Sequence, residues 1–155
     1  MIVRFAHEGD IPGMIRLLQQ VGEVHHQIRP DLFRSGAQKY DEAALKALLS
    51  DENRPILIGE LDGHVAGYAF CILQITKDDP VLMDRKVLYI DDLCVEESLR
   101  GQGVATEVYQ KTLAFARELG CDAVTLNVWC GNDSAMKFYE KSGFKPQKVG
   151  MEVIL

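Results

Sequence analysis

Arg100-Gly101-Gln102-Gly103-Val104-Ala105 is a glycine-rich turn between a strand-like run at 87–95 and a helix-like run at 104–119. Its two glycines let the backbone turn tightly and leave N–H groups uncovered. The helix that follows adds unpaired N–H groups of its own and the positive end of its dipole. A turn built this way holds a phosphate or pyrophosphate. Which phosphate-bearing ligand it suits depends on the elements on either side.

Downstream, Val104, Ala105, Val108, Phe115, Ala116 and Leu119 recur on one helical face, and Gly120 suits the stop. Residues 123–129 form a near-continuous apolar run, which predicts a central strand. Asn132 or Asp133 caps a last helix that Gly143 ends, and 149–155 is expected to be a final strand. Upstream, Asp10 is expected to cap a helix carrying Ile11, Met14, Ile15, Leu18 and Val21, which stops before Pro30. Asp41 starts a short helix through Leu49. Strands at 55–60 and 64–75 meet at Asp62-Gly63, a hairpin signal. Helices then flank a mixed sheet in one α/β (α+β layered) domain over 1–155.

The apolar fraction of 47% and charged fraction of 26% are those of an ordinary globular chain. Seventeen basic against 23 acidic residues give a net charge of -6, which argues against nucleic acid as a partner. No apolar run reaches membrane-spanning length, so no membrane partner is expected. Cys71, Cys94, Cys121 and Cys130 form no C-x-x-C pair and have no histidines at zinc spacing, so no metal is expected. The chain opens on a strand pattern, Ile2-Val3-Arg4-Phe5, without a signal-peptide pattern. A reduced, cytoplasmic protein is the expectation.

A dinucleotide site fits poorly. Gly101-x-Gly103-x-x-Thr106 lacks the third glycine, and Asp122, the acid about 20 positions on, precedes its strand instead of ending it. No Gly-Lys-Ser/Thr follows, which removes a Walker-type site. A second comparison takes in more of the chain. Tyr89-Ile90-Asp91-Asp92-Leu93-Cys94-Val95 followed by Arg100 to Ala105 resembles the acetyl-CoA-binding signature of the GNAT N-acetyltransferase superfamily. Leu126-Asn127-Val128-Trp129, Asn132, Ala135, Phe138-Tyr139-Glu140-Lys141 and Gly143-Phe144 resemble its second half-motif.

The resemblance implies a mixed, mostly antiparallel sheet with a central splayed pair of parallel strands, 89–95 and 123–129. The pantetheine arm of acetyl-CoA would lie in the gap, bonded to the backbone of Leu93, Cys94 and Val95 as an added strand would be. Arg100, Gly101, Gln102, Gly103, Val104 and Ala105 would receive the pyrophosphate, and Asn132 would hold the cofactor arm. The implied activity is direct acetyl transfer from acetyl-CoA to a primary amine of a small molecule, peptide or protein. A non-catalytic acyl-CoA sensor or interaction module of the same fold is the alternative.

The amine, with a pKa near 10.4, is neutral in only about one molecule in a thousand or fewer at pH 7, so a base or a water chain must drain its proton. Asp91 and Asp92 are the candidates; alternation on a strand would turn them to opposite faces. Polyamine-acetylating relatives carry a glutamate where Asp91 stands, which favours Asp91. A bulge near Leu93 and Cys94 would offer an N–H to the developing oxyanion. Tyr139 would donate a proton or hydrogen bond to the leaving thiolate. His25-His26 are expected at a solvated helix end, Phe33 either over the substrate or pinning its loop, and Trp129 in core packing beside the cleft. Edge pairing by 149–155 points to a homodimer.

Overall fold

The computed structural model describes all residues, 1–155. Five strands form one sheet in the order β1-β2-β3-β4-β5: Ile2–Phe5, Ile56–Leu61, His64–Thr76, Arg85–Val95 and Ala123–Leu126. Neighbours are antiparallel except β4 and β5, which run parallel. Four helices accompany it: α1 (Ile11–Ile28), α2 (Glu42–Leu49), α3 (Val104–Glu118) and α4 (Asp133–Lys141). No helix is long and apolar enough to cross a membrane.

The period-2 alternation of the strands divides the core between two faces. Ile56, Ile58, Tyr68, Phe70 and Cys94 pack with Met14, Leu17 and Leu18 of α1 and Leu45 of α2. Ala69, Cys71, Leu88, Ile90 and Val95 pack with Val104, Val108, Tyr109 and Ala116 of α3. A Cβ at Gly67 would meet Cys94 O at 2.9 Å and Val104 Cγ1 at 3.1 Å, so this glycine lets α3 approach the sheet.

Three expectations change. Asp10 does not cap α1 with its side chain. Its carboxylate instead accepts from Arg4 Nη1 at 2.8 Å, Arg4 Nη2 at 2.9 Å and His7 N at 2.9 Å. A two-pronged charged donor outcompetes a helix N–H for the same oxygens. The apolar run at 123–129 is a strand only to Leu126 and lies at the sheet edge, not its centre. Its apolar character is met by cover from α3 and α4 residues such as Phe115 and Phe138.

The expected strand at 149–155 is also absent. Residues 145–155 are exposed and make no backbone hydrogen bond, with Val149 at 79% and Met151 at 92% exposure. Alternation gives a segment strand propensity, but a strand exists only against a partner edge. The tail touches the domain through Glu152, whose Oε1 accepts from Arg29 Nη1 at 2.7 Å.

Candidate active site

The site is organised by one extra residue in β4. Phe70 of β3 pairs with Asp92 and the next residue, Cys71, pairs with Ile90, so Asp91 has no partner and forms a bulge. Ile90 and Leu93 both pack on the α3 side. The two residues between them therefore face α1 together. This corrects the expectation that Asp91 and Asp92 point to opposite faces: a bulge adds one residue and cancels the alternation across it. The bulge also precedes Leu93 and Cys94, where it was expected.

The two acids have different partners. Asp91 Oδ2 accepts from Lys39 Nζ at 2.6 Å. Asp92 Oδ2 accepts from the hydroxyl of fully buried Tyr68 at 2.6 Å. Burial pushes the Asp92 carboxyl up to about 6, against the pull of the Tyr68 hydrogen bond and the Lys39 charge, while Asp91 pushes it further up. Such a carboxyl changes charge close to neutrality.

At the same point the parallel strands part. Their register runs from Val87 with Ala123 to Ile90 with Leu126 and stops. Past Ile90, the backbone of Asp91, Asp92, Leu93, Cys94 and Val95 has no β5 neighbour. The side chains of Cys94 and Val95 are buried in the core, so only their backbone is available to a ligand. Cys94 Sγ donates to Leu17 O at 3.7 Å, and burial pushes its thiol up to about 12. It is a packing residue.

The glycine turn stands where β4 leads. Gly101 has φ +78° and Gly103 φ +87°, and a Cβ at either would meet nothing within 4 Å. Both conformations favour glycine. No protein acceptor takes the N–H groups of Gly101, Gln102, Gly103, Val104, Ala105 or Thr106. Arg100 adds an exposed guanidinium without an ion-pair partner. The result is an open row of donors at the positive end of α3.

Asn132 caps α4: its Oδ1 accepts from Ala135 N at 3.4 Å. Its acceptor is thus used by the helix, and the amide N–H₂ is left to donate outward. Two turns on, Tyr139 sits between Phe138 and Phe144, with ring centroids at 5.4 and 5.6 Å. Its hydroxyl has no protein partner and is not sealed from solvent. Burial, then the charges of Asp92 and Cys94, push it up to about 12, so it stays protonated. Gly143 at φ +97° ends the helix, with Phe144 N donating to Tyr139 O at 3.0 Å.

A loop from the end of α1 to α2 closes the α1 side. His26 Nδ1 lies 2.6 Å from Phe33 O, and the His25 ring lies 5.0 Å from the Phe33 ring. The histidine pair therefore anchors the loop and is not a solvated helix end. Phe33 meets Trp129 edge-on at 5.5 Å, and the Arg29 guanidinium lies 5.7 Å over the indole. Trp129 is 39% exposed, so it walls the cleft instead of packing in the core.

The acetyltransferase (GNAT) family profile matches residues 7–144. The chain belongs to this family. It is 33% identical over 97 residues to an uncharacterized N-acetyltransferase of Mycobacterium tuberculosis, covering 63% of this chain and 56% of that one. The fold superposes on a crystal structure of a mutant of the BH1408 protein from Bacillus halodurans with a TM-score of 0.95, at 32% identity, over 100% and 99% of the two chains. An aminoglycoside N-acetyltransferase in complex with CoA shares the fold, with a TM-score of 0.70 at 15% identity, over 99% of this chain and 98% of that one. The chain spans about half the length of the curated relatives it matches.

In this member of the GNAT family, Asp91 to Val95 lie past the end of the β4–β5 ladder, Arg100 to Ala105 form the turn beyond, Asn132 caps α4 and Tyr139 lies within it. Sequence reasoning missed Lys39 and Tyr68, the partners of the two acids. Lys39 lies in an irregular loop 52 positions from Asp91, and no local pattern ties them. Tyr68 reads as one more apolar strand residue; the polar neighbour that uses its hydroxyl is 24 positions away.

Proposed function

We propose that this acetyltransferase uses acetyl-CoA and passes the acetyl group directly to a primary amine of a small molecule, peptide or protein. The observation that carries the reading is the open donor row at Gly101 to Thr106 beside a strand edge at Leu93, Cys94 and Val95 that has no β5 neighbour. It fits a pyrophosphate followed by an extended amide-bearing arm. Arg100 adds positive charge for the phosphates, and the Asn132 amide can donate to the arm. When bound, the coenzyme supplies an activated thioester carbonyl.

The residues then divide the proton work. Asp91 receives the acceptor's ammonium and shares its proton with Asp92, whose affinity for a proton is raised into the range useful to a base. Tyr139, protonated at any working pH, gives a hydrogen bond to the leaving sulfur. Full transfer from a phenol near 12 to a thiolate near 8.5 is uphill by about 5 kcal/mol, so the hydrogen bond is its main contribution. Phe33 and Trp129 present aromatic faces to the acceptor's body.

The working location we infer is the cytoplasm, where Cys71, Cys94, Cys121 and Cys130 stay free thiols. A second copy of the chain is the partner we assign to the exposed tail, and a solution mass equal to the monomer would end that assignment. The activity is tested by incubation with acetyl-CoA and a panel of small amines and peptides, following free thiol. Transfer to at least one amine is expected. Tight CoA binding without transfer to any amine would overturn the enzyme reading in favour of an acyl-CoA sensor.

A further inference from the structure

Lys39 is placed by its neighbours. Gln38 on one side bonds Gln19 Oε-to-Nε at 2.9 Å and donates to Tyr40 O at 2.8 Å. Tyr40 on the other side stacks on Phe70 at 5.8 Å and accepts from Arg54 at 3.0 Å. The loop also runs tight against α1, where a Cβ at Gly22 would meet Ala37 O at 2.6 Å. Fixed on both flanks, Lys39 reaches over the Tyr40 ring, its Nζ 5.4 Å from the centroid, to Asp91 in the bulge. Its charge also reaches Asp92 and His25, whose ring burial first and Lys39 second hold below the ordinary imidazole value.

An alkylammonium thus already rests on the carboxylate assigned to the acceptor's ammonium, where β4 loses β5. A lysine side chain is a primary amine on a flexible stem. We propose that Lys39 is an internal occupant of the acceptor seat and that the site acetylates Lys39 Nζ when no other amine displaces it. The inference rests on the acetyl-CoA reading above. The step balances without a further reagent. The Lys39 ammonium gives one proton to Asp91 and becomes a neutral amine. Its lone pair forms a C–N bond to the thioester carbonyl carbon as the C–S bond breaks. The coenzyme leaves as a thiolate and takes the second nitrogen-bound proton, while Asp91 returns its proton to water. The products are a neutral amide on Lys39, free thiol and one proton.

The other lysines with partners are placed differently. Lys46 pairs with Glu42 on the surface of α2, and Lys86 donates to Leu119 O. Chemical acetylation by acetyl-CoA would favour freely exposed lysines such as Lys77 and Lys148. The seat and the mark can therefore be read separately.

The seat is tested without coenzyme, by following the Lys39 Nζ resonance of the whole chain during titration with butylammonium chloride. A progressive shift is expected, with none from butanol; an unmoved resonance overturns the proposal. The mark is tested by incubating the same protein with acetyl-CoA alone and mapping lysines by mass. A gain of one acetyl at Lys39 is expected, at a rate constant unchanged over a tenfold range of protein concentration, at least tenfold faster than at any other lysine. Lys39→Arg is expected to lose the mark and keep CoA binding by calorimetry. Acetyl spread evenly over exposed lysines, or none on Lys39 while an added amine is acetylated, overturns the proposal and leaves the enzyme reading standing. Neither CoA binding nor any transfer overturns both.

Discussion

Replacing Asp92 by asparagine is expected to stabilise the fold at pH 8 and to do so less as the pH falls. The folded carboxyl titrates at about 6 instead of the ordinary 3.8, because burial opposes its charge more than Tyr68 and Lys39 favour it. The folded state therefore holds this proton more tightly than the unfolded chain does. No penalty exists below pH 3.8; it grows between there and about 6 and is complete above. Complete, it amounts to about 3 kcal/mol from the difference between the two values. Asp92 is only half-buried, and water at the cleft screens part of this, leaving about 2 kcal/mol. Asparagine keeps an oxygen for the Tyr68 hydroxyl to donate to, so the hydrogen bond survives the exchange. Urea unfolding of both proteins at pH 8 and pH 4.5 is the assay. A gain of about 2 kcal/mol at pH 8, falling below about 1 kcal/mol at pH 4.5, is expected. An Asp92→Asn protein no more stable than its parent at pH 8, or shifted equally at both pH values, would refute the reasoning. A site residue held at a cost to stability is a common arrangement in enzymes.

Tyr139→Phe removes a hydroxyl that no protein atom uses. Turnover should fall at least tenfold, about 1.4 kcal/mol of barrier, with CoA affinity near normal; equal turnover across a pH series would remove Tyr139 from the chemistry. Gly103→Ala puts a Cβ in open space at φ +87°. The strain should cost about 1–2 kcal/mol in thermal unfolding, and calorimetry should give CoA binding weakened at least tenfold; unchanged affinity would separate the turn from the coenzyme. At Asn132 two variants split two roles. Asn132→Asp keeps the cap and should keep stability while weakening CoA binding, whereas Asn132→Ala should lose both, with about 1 kcal/mol of stability. Equal CoA affinity in all three proteins would limit Asn132 to capping.

What the sequence made legible was local. The turn at 100–105 could be read because glycines and a following helical period mark it within a few residues. The same holds for the Asp41 and Asn132 caps, each three residues from the N–H it accepts. What it hid was relational. The bulge has no glycine or proline to announce it; it exists because Phe70 and Cys71 pair with Asp92 and Ile90. Only that pairing turns Asp91 and Asp92 to one face. The tail misled because 149–155 alternates like a strand while no strand of the sheet pairs with it. Strand 123–126 misled for the complementary reason, since an apolar run carries no mark of whether helices or strands cover it. Lys39 and Trp129 belong to contacts made across irregular chain, where no period exists to read.

The extra residue in β4 also acts as a phase slip. Residues before Ile90 and after Leu93 keep their own alternation, but the two halves of the strand are out of step by one. Deleting Asp91 would mend the ladder and leave Asp92 alone above Tyr68, an ordinary half-buried carboxylate without a companion. Adding a residue between the bulge and Cys94 would instead invert Cys94 and Val95 between the two cores. The distance from the acids to the turn is thus locked by packing on both faces, independently of any ligand. The chain can drift in its loops and tail, but the spacing between the two acids and the glycine turn is written into the core.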